Sequence, residues 1–70
     1  MTHVAKIIEL VGSSDKGWDD AAQAAINEAR KTIHGIKGLE VVDMTAKVDP
    51  NTGNITQYRA AVKVAFAVEH

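Results

Sequence analysis

The sequence predicts an α+β fold of order β-α-β-β, with a three-stranded antiparallel sheet (order 1-3-2) wrapped around one helix. Three observations carry this. From Tyr58 to Val68 the large apolar residues Tyr58, Val62, Val64, Phe66 and Val68 fall two or four positions apart. Arg59, Ala61, Lys63, Ala65 and Ala67 lie between them. A strand has period two, so the sets occupy opposite faces. Trp18, Ala22, Ala25, Ile26, Ala29 and Ile33 recur at three- and four-residue steps, the apolar stripe of a helix. Between two strand-like segments, Asp49-Pro50-Asn51-Thr52-Gly53-Asn54 has the residues of a hairpin turn.

The first strand is expected over His3 to Val11, a β-branched run bounded by Gly12-Ser13-Ser14. Both of its faces are partly apolar, so its core face stays open. The helix is expected from Ser14 to His34. Ser14 or Asp15 would cap the first amides. Asp15, Asp19 and Asp20 near its start, and Arg30, Lys31 and His34 near its end, suit the helix dipole. Gly35 is the expected stop. The second strand is expected over Leu39 to Val48, with Val42, Met44, Ala46 and Val48 as its apolar face and Asp43, Thr45 and Lys47 opposite. The third, Ile55 to Glu69, runs back antiparallel through the hairpin. The helix makes strands one and two co-directional, so an all-antiparallel sheet needs strand three in the middle.

The central strand is also the one with two apolar faces. One packs on the helix; the other needs a cover the chain cannot supply. Seventy residues read as one domain, residues 1–70, too small to bury much surface alone. Such domains rely on disulfides, metals or oligomerisation. There are no cysteines, and His3, His34 and His70 form no metal-binding pair. Self-association is the route left.

A net charge of −1 argues against nucleic acid and anionic membrane as partners. The apolar pair Ile7-Ile8 is flanked by Lys6 and Glu9, so no signal peptide or spanning segment is expected, and the expected location is cytoplasmic. Gly12 and Gly17 have Walker A spacing, but Trp18 and Asp19 follow where lysine and a hydroxyl residue are needed. They read instead as flexible glycines of a strand-to-helix turn. Asp49 opens a calcium-loop-like run, but its sixth and twelfth positions hold Asn54 and Ala60. Ser13 and Ser14 lie in no nucleophile elbow. No catalytic residue is assigned, and an enzyme is not expected. Trp18 reads as a helix-to-sheet anchor. For Arg59 and Lys63 two readings stay open: snorkelling from a solvated face, or contact with another subunit or an anionic ligand.

Glu9-Leu10-Val11-Gly12-Ser13-Ser14, Ala29-Arg30-Lys31-Thr32-Ile33, Leu39-Glu40-Val41 and the run from Tyr58 through Ala60, Ala61, Val62, Val64, Phe66 and Val68 to Glu69 resemble the dodecin family over almost the whole chain. The resemblance implies a subunit of a hollow homododecamer that stores or sequesters flavin (riboflavin, FMN or FAD) and is not an enzyme. Typical members place a flavin-stacking tryptophan, in a D-W-F-E-V context, where this chain has Gly38. The flavin-bonding glutamine of the last strand falls at Arg59, and an arginine common in bacterial members falls at Thr45. Gly38, Thr45 and Arg59 are therefore the family-equivalent ligand positions. Glycine offers no stacking surface, and arginine favours an anionic ligand such as a phosphate-bearing nucleotide. The reading is a shell that binds a small anionic or aromatic ligand. The alternatives are a structural or stress-related oligomer binding ions at symmetry axes, and a flavin binder using another contact.

Overall fold

The computed structural model describes residues 4–68; His3, Glu69 and His70 lie outside them. Its elements are β1 (Ala5–Ser14), α1 (Trp18–Ala29), β2 (Ile36–Val48) and β3 (Ile55–Ala67). The sheet is antiparallel with order β1-β3-β2, as the sequence predicts. The molecule is elongated, 56 × 20 × 13 Å, because β2 and β3 form a long hairpin. That hairpin turns at Asp49, whose Oδ1 accepts the amides of Asn51 (2.8 Å) and Thr52 (3.3 Å). Gly53 takes φ of 75° there, where a side chain would be strained.

The core is made of small residues. Ala21, Ala22 and Ala25 of α1 lie on Ala60, Val62 and Val64 of β3, with Ile8, Leu10, Ile26 and Ile36 around them. The helix-facing set of β3 is the one the alternation predicts. Gly12 makes this contact possible. A Cβ there would stand 1.9 Å from the Ala21 carbonyl oxygen. Gly12 is a buried strand residue on which the helix lies, which corrects the flexible-turn reading. Gly17 has an extended backbone (φ 174°) open to any residue, so its reading as a flexible hinge fails too.

Helix limits differ from expectation at both ends. β1 continues to Ser14 because β3 offers it ladder partners: Gly12 pairs with Ala60, Ser13 with Arg59 and Ser14 with Tyr58. Tertiary pairing overrides the local capping signal. Gly17 is the cap and no side chain caps it. Ser14 Oγ instead accepts the Lys16 amide at 2.9 Å and donates to the Asp20 carboxylate. At the other end, the amides of Lys31 and Thr32 reach carbonyls only three residues back, a tightening that ends the helix. Arg30, Lys31 and His34 thus follow the helix rather than forming its last turn. Gly35, at φ 75°, turns the chain into β2.

β2 begins at Ile36; Met44 and Ala46 share its helix side with Asp43, Thr45 and Lys47 opposite, as expected, but Val42 does not lie on their face. A bulge at Val42 breaks the alternation: Val41 pairs with Val62 but Asp43 with Ala61. Val41 and Met44 therefore face the helix side while Val42 is displaced from it. The helix packs mainly on β1 and β3; it touches β2 through Trp18 and leaves most of that strand uncovered. Leu39 (38%), Val41 (43%) and Met44 (59%) remain exposed on the sheet's inner face.

Candidate functional site

The outer face of the sheet, away from α1, carries all three family-equivalent positions. The register arranges it in cross-strand rows: Ile7–Ala65–Gly38, Glu9–Lys63–Glu40, Val11–Ala61–Asp43 and Ser13–Arg59–Thr45. Residues within a row are neighbours about 5 Å apart, and successive rows lie about 7 Å apart. Thr45 and Arg59 are directly opposed. Gly38 lies three rows away, about 20 Å, so one protomer does not unite it with Arg59.

Each row differs chemically. Nothing lies within 4 Å of an ideal Cβ at Gly38, so this end is open and floored by Ala65. Lys63 Nζ lies 3.9 Å from Glu9 Oε1 in a solvent-exposed pair, with Glu40 on its other flank. Such a pair contributes at most about 1 kcal/mol. Val11 is 67% exposed and Ile7 61%, both large apolar groups on open surface. Glu9, Leu10, Val11, Val42, Ala61 and Val62 line a depression of about 270 Å³. In the last row, Arg59 Nε donates to Gln57 Oε1 at 3.3 Å. Among the described residues no carboxylate pairs with this guanidinium.

The aromatic residues are elsewhere. Tyr58 and Phe66 sit at helix-side positions of β3. Trp18 packs edge-on against Tyr58, with centroids 4.7 Å apart, and its Nε1 donates to the Thr45 carbonyl at 2.9 Å. It is an anchor, as expected, and does not take the place of a side chain at Gly38. The outer face therefore has no aromatic platform, and within one protomer the residues do not fit a stacked isoalloxazine.

Arg59 and Thr45 were legible as a pair only through family positions. Their register depends on the Val42 bulge, which hairpin counting misses. Ser13 was missed as a member of their row, because the sequence marks it as turn. The signal was the length of β3, which needs a partner strand reaching past Gly12.

The dodecin family model matches residues 4–69. Dodecin from Thermus thermophilus is 33% identical over 69 residues, covering 99% of this chain and 97% of that one. Calcium dodecin from Mycobacterium tuberculosis is 35% identical over 63 residues (90% and 86%). Its crystal structure, of a calcium chelating antigen with a novel calcium-binding site, superposes with a TM-score of 0.78 at 32% identity over 94% of this chain and 91% of that one. Dodecin from Streptomyces davaonensis superposes over all of both chains with a TM-score of 0.89 at 28% identity.

Proposed function

Since the chain belongs to the dodecin family, we propose that it is a non-enzymatic shell protein that self-associates, as a dodecamer, and holds a small ligand against its outer sheet face. The observation that carries this reading is the pair of uncovered faces on one thin sheet. Leu39, Val41 and Met44 are exposed on the inner face, and Ile7 and Val11 on the outer. Each adds apolar area whose removal from water favours association. Flavin is the family ligand, and Gly38 removes its expected platform. Contact therefore falls to Thr45, Arg59 and their neighbours, which suits a ligand bearing negative charge. The absorbance spectrum and native mass of the untagged protein test this together. A multimer carrying a small chromophore or nucleotide supports it; a stable monomer at micromolar concentration overturns it.

A second reading follows from calcium dodecin: an oligomer that binds ions rather than an organic molecule. Among the described residues no three acidic, histidine or cysteine side chains gather in one protomer. Such a site would draw ligands from several copies. Terbium luminescence on the assembled protein, competed with calcium, discriminates the two readings.

A further inference from the structure

We propose that copies of this chain join head to tail, the hairpin tip of one entering the basic cavity at the helix end of the next. This deepens the self-association reading above and rests on it. The two surfaces lie at opposite ends of the 56 Å molecule. From Ile36 to Val48 the extended chain covers about 40 Å, so the tip cannot reach its own cavity.

The donor surface is the hairpin tip. β1 stops at Ser14, opposite Tyr58, and beyond that row β2 and β3 run on as an uncovered ribbon. A two-stranded ribbon is marginal alone in water. Its last pair, Val48 and Ile55, is 56% and 44% exposed. Asp49 follows them; its Oδ1 is taken by the turn amides, leaving Oδ2 for an outside donor. Around this end Asp15, Asp19, Asp20, Asp43 and Asp49 outnumber Lys16, Lys47 and Arg59.

The acceptor surface is concave. Where α1 gives way to β2, Ile26, Ile33 and Ile36 line a cavity of about 530 Å³ together with Arg30 and His34. Between Ala29 and Leu39 the chain carries Arg30, Lys31, His34 and Lys37 and no acidic residue. Lys31 is held by Glu28, but among the described residues no carboxylate pairs with Arg30 or His34. Isoleucine walls beside a guanidinium complement Val48, Ile55 and Asp49 of a second copy. Apolar burial favours the joint, and the opposed charges set its orientation. The contact joins unlike surfaces, so every copy can give one tip and receive another. It builds rings or filaments rather than closed pairs.

Light scattering on the full chain tests the joint with variants at two exposed positions, Ile55→Lys at the tip and Arg30→Glu at the cavity. Each should form a smaller species than the parent with an unchanged far-UV spectrum, since neither residue belongs to the buried cluster. Mixed in equal amounts they should regain mass, because the two reversed surfaces then face each other and the two intact ones do the same. Parent mass retained by either variant overturns the tip-in-cavity joint and leaves self-association standing, as does a mixture no larger than its components. A monomeric parent overturns both readings.

Discussion

Replacing Gly12 by alanine should be among the most damaging single-methyl changes this chain can suffer. The new Cβ would stand 1.9 Å from the Ala21 carbonyl oxygen, 2.9 Å from its carbon and 3.1 Å from the Ala25 nitrogen. Ordinary contact begins near 3.4 Å, so α1 must lift by about 1.5 Å at that point. A gap of even 0.5–1 Å loses roughly a quarter to a half of each dispersion contact. The contacts at stake join Ala21, Ala22 and Ala25 to Ala60, Val62 and Val64, the main buried cluster. The obstacle is backbone and cannot rotate away, so the cost belongs near the upper end of overpacking, about 3 kcal/mol. Removing a glycine from a strand returns up to about 1 kcal/mol. A net loss of about 2 kcal/mol is large against the total stability of roughly 4–10 kcal/mol expected for a domain of this size. It corresponds to a melting temperature lower by about 8–16 °C. Thermal unfolding followed by far-UV circular dichroism measures this, at fixed protomer concentration because assembly shifts Tm. Gly38→Ala is the control: its Cβ meets nothing, and Tm should stay within about 3 °C of the parent. A Gly12→Ala protein that melts with that control would refute the close-approach reasoning.

Trp18→Phe removes the hydrogen bond to the Thr45 carbonyl and should cost about 1–2 kcal/mol in urea unfolding; no change in midpoint would mean the indole anchors nothing. Leu39→Ser combined with Val41→Ser leaves the core cluster intact but makes the uncovered inner face polar, so light scattering should report a smaller species with an unchanged far-UV spectrum. Retention of the parent mass would show that this face is not an interface. Gly38→Trp fills open space and should tighten flavin binding and quench flavin emission; undiminished fluorescence at saturation would separate Gly38 from the ligand site.

The sequence by itself determined the element order, the sheet order and the two faces of β3, because these follow from period-two and helical alternation with one hairpin between them. The resemblance to the dodecin family singled out Gly38 as the position where a stacking side chain is expected, a reading that Gly38→Trp tests. Tertiary structure decided where elements end. The long β3 extended β1 past Gly12 to Ser14, delaying the helix to Trp18. Gly12 reads in sequence as a hinge, yet its role comes from a helix backbone that only packing brings above it. The row Ser13–Arg59–Thr45 likewise joins residues far apart in the chain. Its membership was set by ladder register and by the bulge at Val42, which local pattern cannot fix because one extra residue reverses every face beyond it.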